Sequence, residues 1–117
     1  MLTFTYLMET TISEWLASTL KETGMSQAEL ARKSGVSAAH ITKVLNGERG
    51  LGETSLRAIA EALHIPPEQA FRDVGFLPPV PAKTEQHEKL LYLFDKMTPR
   101  QRDILLSQAR WILEEKP

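Results

Sequence analysis

The stretch from Ser26 to Asn46, SQAELARKSGVSAAHITKVLN, constrains this chain more than any other. Ser26 precedes a helical run and Glu29 follows three residues later, the spacing of a capping box. Leu30 and Ala31 then face inward, and Ala31 is small where a second helix has to cross closely. Gly35 falls in the turn, where a left-handed backbone is cheap for glycine. Val36 plugs the corner, and Ser37 is placed to cap the next helix. Ile41, Val44 and Leu45 recur at helical spacing, and Gly47 ends that helix. The pattern predicts two short helices around a tight turn, with the outer face of the second left free.

The flanking sequence predicts more helices and no strands in the body. Thr11 and Glu14 form a second capping box, so a first helix is expected over about 12–23, with Ile12, Trp15, Leu16 and Leu20 inward and Gly24 as its stop. After a loop at 47–52, a fourth helix is expected over about 53–63, with Leu56, Ile59, Ala60 and Leu63 inward. Pro66 and Pro67 break the chain and open a short fifth helix to about Val74. LPPVPAK, from Leu77 to Lys83, is a proline-rich connector. Beyond it, one helix is expected over about 84–96. Another opens on Thr98-Pro99-Arg100-Gln101, which places a cap, a first-turn proline and a capping glutamine together. So short a break predicts antiparallel neighbours, a helical hairpin. The expected organisation is an N-terminal extension (1–10), a five-helix domain (11–77), a linker (78–83) and a C-terminal hairpin (84–117). The extension reads as a disordered tail or as an arm. The alternation Leu2, Phe4, Tyr6 would suit a short strand in such an arm, and Met8 is a second candidate initiator.

Several stretches together resemble the Cro/C1-type helix-turn-helix transcriptional regulators, the phage repressor-like or XRE-like proteins. They are the first helix with Trp15, Leu16 and Leu20, the run from Ser26 to Gly47, LRAIAEALHI, and the closing PPEQAFRDVGFLPP. The resemblance covers about residues 12–77. It implies an all-α fold, a five-helix phage-repressor-like helix-turn-helix domain followed here by the C-terminal helical hairpin. It also implies double-stranded DNA as partner, with the third helix in the major groove. Carried over position by position, Ser37, Ala38, Ala39, Thr42 and Lys43 become the candidates for base contact. Lys43 can donate to guanine O6 or N7. Ala38 and Ala39 depart from the polar pairs of many relatives; they can meet thymine methyls and leave room for readout of DNA shape. Gln27, His40, Asn46, Arg49 and Thr54 become the candidates for phosphate contact. Gln27 matches the family's phosphate-binding glutamine and opens a helix whose free amides suit an anion.

The hairpin carries more apolar residues than one seam can use. Leu90, Leu91, Leu93, Phe94 and Met97 dominate its first arm; Ile104, Leu105, Leu106, Ala109, Trp111, Ile112 and Leu113 dominate its second. One stripe closes the hairpin and the rest need a partner. A second copy is the simplest, with Leu90, Phe94, Leu105, Ala109, Trp111 and Ile112 as dimerisation candidates. The alternative is a hairpin folded back on the body of a monomer.

Composition narrows the function classes. The chain has no cysteine, which excludes disulfides and cysteine-held zinc and fits a cytoplasmic protein. No apolar run approaches the roughly 20 residues that span a bilayer, so no membrane partner is expected. The formal net charge is −1, yet Lys21 to Gly50 holds five basic residues against three acidic, and Leu51 to Pro81 two against four. That polarity is compatible with phosphate on one face. His40, His64 and His87 are far apart, and no phosphate loop or nucleophile motif occurs; neither catalysis, a metal nor a cofactor is expected. Trp15 and Trp111 read as packing residues. A DNA-binding repressor is the leading reading. An antitoxin that represses its own operon and neutralises a toxin shares the same first half. A protein-interaction module using the hairpin to bind another regulator is the third.

Overall fold

The computed structural model describes the backbone of residues 2–115 and the side chains of residues 11–115. Seven helices follow in order: α1 (Leu2–Thr23), α2 (Gln27–Ser34), α3 (Ala38–Leu45), α4 (Glu53–Ala62), α5 (Pro67–Asp73), α6 (Ala82–Lys96) and α7 (Pro99–Glu114). The described residues contain no strand.

The first helix starts earlier than the Thr11–Glu14 pair predicts. Its backbone is helical from Leu2, which makes Thr11 an interior residue instead of a cap. Neither glycine nor proline interrupts residues 1–23, and each β-branched threonine costs only about 0.7 kcal/mol or less against alanine. Nothing local therefore stops the helix. The side chains of Leu2, Phe4 and Tyr6 lie outside the described residues.

One core serves α1 to α5. Ile12, Leu16 and Leu20 of α1 meet Leu30, Val36, Ile41 and Val44, and the cluster continues through Leu51, Leu56, Ile59, Ala60, Leu63, Ile65, Ala70, Phe71 and Val74. Trp15 is partly buried against it. Each fully buried aliphatic side chain in such a core contributes roughly 1.5–3 kcal/mol. The Ser13 hydroxyl of α1 donates to the Leu45 carbonyl at 2.8 Å, satisfying an orphan acceptor at the end of α3.

Local capping sets the helix boundaries. Ser26 Oγ accepts from the Glu29 amide at 3.1 Å, and the Glu29 carboxylate accepts in return from the Ser26 amide. Gly35 closes α2 with φ +77°, its amide donating to the Ala31 carbonyl at 3.0 Å. A Cβ built on Gly35 would meet no atom within 4 Å. The cost of Gly35→Ala is therefore backbone strain alone, expected at about 1–2 kcal/mol. Urea denaturation checks this; a loss well above that range would reveal a steric conflict.

The C-terminal arms form as two helices joined at a capped corner. Thr98 and Gln101 exchange the two bonds of the predicted capping box. Arg102 Nε donates to the Phe94 carbonyl at 3.0 Å and its guanidinium lies 4.7 Å from the Phe94 ring centroid, which pins the corner. Neither α6 nor α7 holds a buried residue. Nearest the corner, Leu93, Phe94, Met97 and Leu105 are half-buried. Leu90 is 48% exposed, and Trp111 and Ile112 are each 60% exposed. Ala109 is also exposed. The radius of gyration is 16.4 Å, against about 13 Å for a compact chain of this length.

An ion pair joins helix α6 to the body. Arg72 on α5 is bound to Glu88 on α6, with the Arg72 side chain largely buried. Burial raises the pKa of Tyr92, and Glu61 and Glu68 raise it further.

Candidate nucleic-acid interface

Helix α3 has two faces with opposite fates. Ile41 and Val44 are fully buried beneath it. Ser37, Ala38, Ala39, Thr42 and Lys43 are all exposed. Burial of the inner pair fixes the rotation of the helix, since turning it would pull both side chains out of the core. The five base-contact candidates are thereby held together, facing solvent.

They are not equivalent. Ser37 Oγ accepts from the His40 amide at 3.1 Å, so Ser37 serves first as the N-cap of α3. Ala38 and Ala39 offer methyl groups and a low profile. Lys43 carries the free cation of this face. Thr42 donates its hydroxyl to Gln27 Oε1 at 3.3 Å. That bond joins α3 to the first residue of α2. It also orients the Gln27 amide, occupying its acceptor and leaving its NH₂ donors for an anion.

The remaining phosphate candidates lie along the exit of α3. Asn46 caps the helix and is exposed, and Gly47 follows with φ +74°. Arg49 and Thr54 are exposed, Thr54 in the first turn of α4. His40 is different: its Nε2 lies 3.2 Å from the Gly50 carbonyl. A carbonyl only accepts, so the ring donates there and ties the loop carrying Glu48 and Arg49 to α3. The bond leaves His40 half-buried at the flank of α3.

Sequence reading missed both the Thr42–Gln27 bond and the His40–Gly50 bond. Each joins residues ten or more positions apart, and no local pattern announces such a pair. Among the described residues no group of three or more His, Asp or Glu side chains converges to hold a metal ion. No helix among them is long and apolar enough to cross a membrane.

A family model described as helix-turn-helix matches residues 16–69, which run from the middle of α1 into α5. The chain is 33% identical over 84 residues to the HTH-type transcriptional repressor RghR of Bacillus subtilis (strain 168). The match takes in 71% of this chain and 62% of that relative, so the chain spans less than two thirds of its length. No solved structure matches the chain significantly. Capped α2, the left-handed turn at Gly35, the two-faced α3 and the matched span agree: residues 16–69 carry a helix-turn-helix domain, similar to that family and to a transcriptional repressor.

Proposed function

We propose that the chain is a sequence-specific DNA-binding repressor that grips a two-fold operator as a dimer, with α3 in the major groove. The carrying observation is the face of α3: exposed Ala38, Ala39, Thr42 and Lys43 above buried Ile41 and Val44. The repressor named among its relatives supports the direction of regulation. Lys43 reads base edges, the two alanines permit close approach, and Gln27, Asn46, Arg49 and Thr54 hold phosphates. Such a protein works in the cytoplasm, on the DNA it regulates.

The dimer reading rests on α6 and α7. Leu90, Leu91, Ile104, Leu106, Trp111, Ile112 and Leu113 stay exposed, and solvating this much apolar surface is unfavourable. A second copy supplies the same surface in return. The same exposure also suits a protein regulator or a toxin, and co-purification with a protein encoded alongside would favour those readings.

Selection of sites from random double-stranded DNA tests the proposal. An enriched two-fold site is expected. Lys43→Ala should weaken it by about 1–3 kcal/mol and relax the sequence at one position in each half. Gln27→Ala should weaken all sequences alike and flatten the salt dependence. Failure to enrich any site at low salt would contradict it.

A further inference from the structure

We infer that His40 is a positioning residue: its ring holds the 47–52 loop against α3 and so presents Arg49 to the DNA backbone. The role of Arg49 rests on the proposed DNA-binding reading; the tie from ring to loop does not.

The loop needs such a tie. Its sequence, Gly47-Glu48-Arg49-Gly50-Leu51-Gly52, has glycine at three of its six positions. Each glycine brings backbone freedom that is lost when the loop takes one shape. Both ends are anchored. The Gly47 and Glu48 amides donate to the Val44 and Lys43 carbonyls at 3.0 and 2.9 Å, and Leu51 is buried in the core. Between these anchors stand Arg49, exposed, and Gly50, half-buried. Among the described residues, the side chain hydrogen-bonded to this stretch is His40, its Nε2 3.2 Å from the Gly50 carbonyl. The bond acts where the backbone is freest, one residue from Arg49.

His40 itself stands on a rigid support. Its amide donates to Ser37 Oγ at 3.1 Å, and the next residue, Ile41, is fully buried. Because the carbonyl only accepts, Nε2 carries the proton, and a neutral ring keeps Nδ1 as an acceptor. The one N–H of the neutral ring is thus engaged by Gly50 and is not free for a phosphate. The ring acts through the loop instead. A loop already ordered before binding spares Arg49 the entropy of being immobilised on DNA.

NMR of the full chain tests the tie without DNA. In mildly alkaline solution the His40 ring should be the Nε2–H tautomer. His40→Ala should raise the mobility of the Arg49 and Gly50 amides and leave Ile41 and Val44 rigid. His40→Gln, whose amide can still donate to the Gly50 carbonyl, should restore the order. On the duplex enriched from random DNA, His40→Ala should bind about tenfold more weakly with its fold intact by urea denaturation, and His40→Gln within about twofold of the parent. Arg49→Ala should weaken the parent about tenfold but a His40→Ala chain less than about twofold, the non-additivity of two residues acting as one unit. Should His40→Ala fail to fold, His40→Leu keeps the bulk, lacks the donor and takes its place. An Nδ1–H tautomer, an unchanged loop without the ring, or additive losses on DNA would overturn the assignment. A parent that binds no duplex at low salt would overturn the repressor reading and the role of Arg49 with it, while the amide signals still decide the tie.

Discussion

A chain ending at Pro81 should bind a two-fold operator about 10²–10⁴-fold more weakly than the full chain. Its intrinsic grip on one half-site should be unchanged. The reason is the division of labour between the two parts. Among the described residues the hydrophobic core lies between Ile12 and Val74, so the truncated body keeps that core and loses the Arg72–Glu88 tie to α6. Helices α6 and α7 contribute no buried residue to that core. What they offer is exposed apolar surface, and on the dimer reading this makes the second half-site contact intramolecular. Sedimentation should show a dimer for the full chain and a monomer for the truncation. Ile112→Asp should mimic the truncation, because a carboxylate would be desolvated in the shared face. If full chain and truncation are both monomers at high micromolar concentration, α6 and α7 are not the dimeriser.

Ile41→Ala should destabilise the fold by about 2–5 kcal/mol. Ile41 is fully buried on the inner side of α3, in the same cluster as Leu16, Leu30 and Leu56. Removing its outer carbons leaves a cavity that the short α3 cannot close without rotating its exposed face. Urea denaturation should show a lower midpoint at unchanged slope. Lys43→Ala, one and a half turns from the capped start of the same helix, should leave the midpoint within about 0.5 kcal/mol of the parent. The pair separates stability from recognition: the first variant loses folding, the second loses only DNA.

Legibility in the sequence followed the range of the interactions. The caps at Ser26, Ser37 and Thr98 and the turn at Gly35 were readable because each joins residues only a few positions apart. The buried stripe of α3 was readable because helical periodicity encodes it. Local signals misled at Thr11 and Glu14, where a capping-box spacing sits inside a continuous helix. A cap matters only if the chain before it leaves the helix, and nothing before Thr11 forces it to. Apolar composition announced that α6 and α7 need partners, but not which of their residues would stay exposed. The Arg102 bond at the corner and the Arg72–Glu88 pair join residues 8 and 16 positions apart, beyond any local pattern. Nor was the bond from Trp15 to Asp73 legible, its residues 58 positions apart. Within the candidate interface, the exposed set on α3 could be read from spacing. The use of His40 to tie down Gly50 could not.

The placement of α3 in the major groove is tested most directly by cleavage from a single tethered reagent. The chain has no cysteine, so Ala39→Cys creates a unique attachment point on the exposed face of α3, and His87→Cys creates a control on α6. With a DNA-cleaving chelate attached at position 39, cuts should concentrate at the centre of each operator half-site, in the pattern of a reagent inside the major groove. The same chelate at position 87 should give weak or displaced cuts. Equal cleavage from both positions, or scattered cleavage from position 39, would contradict recognition by α3.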